Sequence, residues 1–128
     1  MKYLGIDYGA KNVGVAISDE ALHFAFPLVV LQNTETLLPE IDKICKVNNI
    51  GGIVIGDSKN YSGKDNDIMA EIRPFVKSLK SITNMPIYFH PEFMSSVEAE
   101  RLQGKNDMHD ASAAAIILKS YLDTNHGQ

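Results

Sequence analysis

The sequence predicts an α/β fold, a mixed sheet of five strands with helices on both faces. Three observations carry that expectation. Up to Leu31 the chain holds three short apolar segments joined by brief connections, the signature of an antiparallel meander. Beyond it, helix-like and strand-like apolar patterns alternate, which extends such a sheet with parallel strands. Acidic residues also recur where the predicted strands end.

The elements follow in order. Lys2–Asp7 is a short apolar strand that closes on a carboxylate. Asn12–Ser18 is the second, with Gly14 and Ala16 as small residues on one face. Phe24–Leu31 is the third, and Pro27 assigns it to a sheet edge or a bulge because proline lacks a ladder donor. Thr34 can cap a helix over Glu35–Asn48, in which Leu37, Leu38, Ile41, Ile44 and Cys45 share one face. Gly51-Gly52 then stops it. Ile53–Gly56 is a continuous apolar run, typical of a strand buried on both faces. After a polar loop, Asp57–Gly63, a long amphipathic helix is expected over Asp65–Thr83. It uses Ile68, Met69, Ile72, Phe75, Val76 and Leu79, and Pro74 should bend or divide it. Pro86–Phe89 is a fifth strand. Ser95 or Ser96 can cap a short helix over Val97–Leu102, and Asp107–Leu122, rich in alanine and leucine, forms the last helix.

A chain of 128 residues fits one domain, residues 1–128. Apolar content of 45% and charged content of 22% are those of ordinary globular proteins. There is no apolar run of the roughly 18 residues a membrane span needs, and the start of the chain lacks the layout of a signal peptide. The single cysteine, Cys45, excludes an internal disulfide and suits a reducing compartment, so a cytoplasmic protein is expected. The net charge of −4 disfavours the basic character common among nucleic-acid binders. A group of metal-binding carboxylates, however, lowers the net charge while serving that very chemistry.

Four acids are placed suggestively. Asp7 follows the first strand, Asp57 the fourth and Glu92 the fifth, while Asp110 sits near the start of the last helix. Ligands of open α/β sheets bind beyond the carboxyl ends of the parallel strands. Oxygen-bearing side chains that converge there make a hard-cation site. Each acid also has a plainer role open to it. Asp110 can stabilise a helix N-terminus, Asp57 can bond its own backbone, and Glu92 can sit in solvent. Asp7 is the hardest to explain in that way, since it ends an apolar strand where an unused charge is costly. Gly9 and Gly14 permit a tight hairpin or a close approach to phosphate, and Lys11 in that turn could touch a phosphate oxygen. His90, alone at a strand end, is read as structural.

These residues resemble the YqgF family, Holliday-junction-resolvase-like bacterial proteins associated with maturation of pre-16S ribosomal RNA. Gly5-Ile-Asp-Tyr-Gly-Ala-Lys-Asn-Val-Gly-Val-Ala-Ile-Ser-Asp19 is similar to the family's opening motif. The likeness continues through Ala25-Phe-Pro-Leu28, Ile53-Val-Ile-Gly56, Gly63, Pro91-Glu-Phe-Met-Ser-Ser96, Ala99 and Leu102. It ends in Asp110-Ala-Ser-Ala-Ala-Ala-Ile-Ile-Leu118 and Tyr121-Leu122. It therefore runs in order along essentially the whole chain.

The resemblance implies a ribonuclease-H-like fold and an Mg2+- or Mn2+-dependent endonuclease acting on pre-rRNA or branched DNA. The family's acidic positions carry over onto Asp7, Glu92 and Asp110, with Asp57 as a further candidate metal ligand. Lys11, Lys59, Lys64, Arg101 and Lys105 are candidates for contacts to the nucleic-acid backbone. The chain departs from the family pattern at Asn12, Asp57-Ser58 and Phe93, where arginine, Leu-Pro and arginine are usual. Two fewer arginines weaken contacts to phosphate. With the net charge, this motivates the alternative of a non-catalytic nucleic-acid or ribosome-assembly binding module. A monomer or weak homodimer is expected, without membrane association.

Overall fold

Residues 1–57, 67–91 and 109–126 are described in the computed structural model of the chain; at positions 57, 67–71, 91, 109–110 and 125–126 only the backbone is described. Alternation along the first strand sorts the sheet into two faces. In β1 (Lys2–Asp7), Leu4 and Ile6 are fully buried on one side. The period of two then puts Tyr3, Gly5 and Asp7 on the other. β1 pairs antiparallel with β2 (Asn12–Ser18), which pairs antiparallel with β3 (Ala25–Gln32). On its other side β1 pairs in parallel with β4 (Ile50–Asp57), and β4 in parallel with β5 (Ile87–Pro91). The order is β3-β2-β1-β4-β5, a meander continued by two parallel strands, as the sequence predicts.

On the first face, α1 (Leu37–Val47) brings Leu37, Ile41 and Cys45, and α2 (Asp67–Thr83) brings Ile72, Phe75 and Leu79. They form one core with Leu4, Ile6, Val13, Val15, Ile53 and Ile55 of the sheet. The opposite face carries α3 (His109–His126), whose Ala114, Ala115, Ile117, Leu118 and Leu122 pack on Ala16 and Val54. β4 is covered from both sides, which explains its unbroken apolar run. A Cβ on Gly5 would lie 2.8 Å from the Leu118 Cβ and 2.9 Å from the Ala114 carbonyl oxygen. The last helix therefore rests directly on the backbone of β1. Among the described residues no helix is long and apolar enough to cross a membrane.

Several boundaries differ from the sequence expectation for physical reasons. Gly51 and Gly52 do not end α1 but lie inside β4. A Cβ on Gly51 would collide with the Met1 side chain, and one on Gly52 would come within 3.0 Å of the Tyr3 ring. These glycines are bare because side chains from β1 and the N-terminus lie over them. α1 begins at Leu37, later than expected, because Thr34 forms a turn instead of a cap: its carbonyl accepts the Leu37 N–H at 3.0 Å. Pro74 does not divide α2 into two helices; it is exposed, and the helix runs on from Asp67 to Thr83. Burial of Ile72, Phe75 and Leu79 on the sheet outweighs one lost helical bond. Pro27 lies on an edge strand beside a register shift opposite Val15/Ala16, so both expected roles of that proline are realised. The helix expected over Val97–Leu102 lies outside the described residues.

Burial, aided by the nearby Asp42 carboxylate, pushes the Cys45 thiol up to about 11. At pH 8 this leaves roughly a hundredfold less thiolate than an ordinary cysteine has. Alkylation of the native protein at that pH is expected to be correspondingly slow and to become fast in denaturant, as read by mass spectrometry. Rapid labelling of the native chain would contradict the packing described for α1.

Candidate active site

The candidate site lies at the end of the sheet where β1, β4 and β5 finish. Asp7, the last residue of β1, is opposite Gly14 of β2. One step beyond the Ile6↔Ile55 pair of the parallel ladder, it is level with Gly56 of β4, and Gly56 pairs with His90 of β5. Gly14, Asp7 and Gly56 thus form one row across three strands on the α3 face. The carboxylate stands between two positions that have no side chain.

The last helix reaches the same end. Its far part lies over the start of β1, with the Tyr121 ring 6.3 Å from that of Tyr3. Its middle, Ala114 and Leu118, sits on Gly5. Continuing towards the N-terminus of α3, position 110 is about 6 Å of helix beyond Ala114. Asp7 is about 7 Å of strand beyond Gly5. The two carboxylate positions advance together to the same end and the same face.

Asp57 reaches this edge as well, paired with Pro91, but by another route. The pleat groups position 57 with Ile53 and Ile55, which belong to the α1/α2 core. Asp7 belongs to the opposite set. Glu92, next in sequence after Pro91, lies outside the described residues, as do Lys59, Lys64, Arg101 and Lys105. Lys11 is exposed in the turn between β1 and β2. It is the one predicted backbone contact among the described residues, and it stands at the Asp7 end of the sheet. Among the described residues no three His, Cys, Asp or Glu side chains gather into a metal-binding group. That set omits Glu92 and the side chains of Asp57 and Asp110.

Two features beside the acids were not foreseen from sequence. Asn33, just past β3, reaches back to the turn after Asp7 and donates from Nδ2 to the Gly9 carbonyl at 2.8 Å. Ser112, two residues after Asp110, is 4% exposed, and its hydroxyl has no hydrogen-bond partner among the described residues. His90, expected from the sequence to be structural, packs against α3. Its Nε2 is 2.8 Å from the Ser120 hydroxyl, its ring meets that of Tyr121 edge-on at 6.0 Å, and burial pulls its pKa down.

The chain matches the protein family described as "RuvX: Holliday junction resolvase" over residues 1–124. A relative from Nitratidesulfovibrio vulgaris (strain Miyazaki F) is 35% identical over 96% of this chain and 84% of its own length. One from Maridesulfovibrio salexigens is 37% identical over 95% of this chain and 98% of its own. Both carry the name "Putative pre-16S rRNA nuclease". Among solved structures, the chain resembles Thermus thermophilus RuvC in complex with a Holliday junction, with a TM-score of 0.66, 13% identity, and 99% of this chain and 96% of that one covered. It also resembles the fowlpox virus Holliday junction resolvase, with a TM-score of 0.57, 14% identity, and coverage of 97% and 99%. At such identities the likeness establishes the ribonuclease-H-like fold and no more.

Proposed function

The chain belongs to the RuvX/YqgF family of nucleases, and on that premise we propose that it is a divalent-metal-dependent endonuclease that matures the 5′ end of pre-16S ribosomal RNA. The observation that carries this reading is the row Gly14–Asp7–Gly56 beneath the N-terminal end of α3. In it a strand-end carboxylate lies between two glycine positions, and α3 runs towards the same end with a second carboxylate position, Asp110. The RNA substrate is preferred over branched DNA because the relatives above 30% identity are named for it.

Asp7, Glu92 and Asp110 would hold Mg2+ or Mn2+, since carboxylate oxygens are the donors such hard cations take. The bound cation supplies an activated water and a stabilised leaving oxygen for phosphodiester cleavage. The protein's own part is positional. The rigid end of β1 fixes the Asp7 carboxylate, and the flanking glycines let the sugar-phosphate chain come close. Lys11 neutralises a phosphate beside the site, and Lys59, Lys64, Arg101 and Lys105 supply further backbone contacts. The pleat favours Glu92 over Asp57 as the remaining ligand, because position 57 belongs to the set that faces α1 and α2. The protein acts in the cytoplasm, where the ribosomal precursor is found, and a monomer suffices for one scissile bond. Paired cuts in a symmetric junction would call for a dimer.

The test offers the purified protein a transcript carrying the 5′ precursor segment of 16S rRNA and, separately, a four-way DNA junction, each with Mg2+ or Mn2+. Cleavage of the transcript, lost on chelation and restored by adding the metal back, is the expected result. Preferential cutting of the junction would reassign the substrate. Cleavage that survives chelation, or none on either substrate, would overturn the metal-nuclease reading.

A further inference from the structure

We propose that Asn33 is a positioning residue that holds the turn carrying Lys11 in register with the nucleic-acid backbone. This rests on the reading of Lys11 as a phosphate contact. Asn33 grips that turn at both of its ends. Its side-chain Nδ2–H donates to the Gly9 carbonyl, and its main-chain N–H donates to the Lys11 carbonyl, each at 2.8 Å. The clamped segment begins two residues after Asp7. It is tightly folded: a Cβ on Gly9 would collide with the Asn12 carbonyl oxygen.

The clamp is itself anchored. Immediately after Asn33 the chain turns, with the Thr34 N–H on the Gln32 carbonyl at 2.9 Å and the Leu37 N–H on the Thr34 carbonyl at 3.0 Å. Asn33 is therefore fixed between the end of β3 and the start of α1, and it passes that rigidity to the turn. Lys11 needs such help. Its side chain is long and exposed, so only its backbone can be held in place before substrate arrives. A lysine on a loose turn loses more freedom on binding and contacts phosphate more weakly. Because the main-chain bond to Lys11 needs no side chain, substituting Asn33 removes one grip and leaves the other.

The experiment compares Asn33→Ala, Asn33→Asp, Lys11→Ala and the Asn33→Ala/Lys11→Ala double variant with the wild type. Aspartate keeps the shape of asparagine, but as a carboxylate it cannot donate to the Gly9 carbonyl. Binding of the same precursor transcript is measured over a range of salt concentrations, with thermal denaturation in parallel. Lys11→Ala is expected to flatten the logarithmic salt dependence by about 0.7–0.9, the loss of one phosphate contact. Both Asn33 variants should lose a large part of that same slope and weaken binding about fivefold at low salt. The double variant should bind no worse than Lys11→Ala alone. A merely structural asparagine would lower the melting temperature, leave the slope unchanged and act independently of Lys11, and that outcome would overturn the proposal. If Lys11→Ala itself keeps the wild-type slope, the reading of Lys11 fails and the proposal fails with it. If Lys11→Ala flattens the slope and the Asn33 variants do not, Asn33 alone is excluded.

Discussion

Asp7→Asn is expected to abolish phosphodiester cleavage, by at least about a thousandfold, while the protein stays folded. Asparagine fills the same space at the end of β1, so the sheet and the contact with α3 are kept. What it removes is one negative charge and one of the two anionic oxygens, at the position proposed as the central cation ligand. The folded state is expected to tolerate the change, because asparagine matches the size of aspartate and keeps one acceptor oxygen. The two effects separate cleanly in measurement. Mn2+ should raise the melting temperature of the wild type through binding to the native state alone, and should raise that of Asp7→Asn much less. Cleavage within tenfold of wild type would remove Asp7 from the centre of the mechanism.

Gly5→Ala is expected to be among the most destabilising single substitutions outside the acidic site. The added methyl group would meet the Leu118 Cβ at 2.8 Å and the Ala114 carbonyl oxygen at 2.9 Å. Neither atom is the free end of a flexible side chain, so rotamer changes cannot relieve the contact. The helix must lift from the sheet, at a cost of about 1–3 kcal/mol or somewhat more. For a chain of this size that corresponds to a fall in melting temperature on the order of 10 °C. Because α3 also carries Asp110, activity should fall even at temperatures where the variant is fully folded. Denaturant unfolding and cleavage of the precursor transcript check the two parts. A stability change below about 0.5 kcal/mol would mean that the contact is looser than described.

The meander, the buried fourth strand and the alternation that follows were legible in the sequence because each rests on local periodicity. Leu4 and Ile6 announce a strand, and Leu37, Ile41 and Cys45 announce a helix, without reference to anything distant. Glycine was less legible, since its meaning lies in what approaches it. Gly51 and Gly52 read as a helix stop, yet they continue a strand because Met1 and Tyr3 cover them. Thr34 likewise reads as a helix cap, whereas its carbonyl closes a turn. In the site, Asp7 stood out on its own because a carboxylate at the end of an apolar run is a local anomaly. That positions 7 and 57 fall on opposite pleat sets requires the register between β1 and β4. That Asn33 belongs to the turn after Asp7 requires a contact across 24 residues, with no motif in the sequence to mark it.

The outer edge of the sheet bears on how this protein behaves in concentrated solution. β3 exposes Phe26 and Leu28, with Phe24 just before it, on a strand that has no neighbour on its outer side among the described residues. An apolar edge of that kind invites neighbouring molecules to add their own strands and grow into insoluble arrays. Pro27 lies within this stretch and, beside the register shift, breaks the run of donors such growth requires. A single imino acid thus works against strand addition along an oily rim.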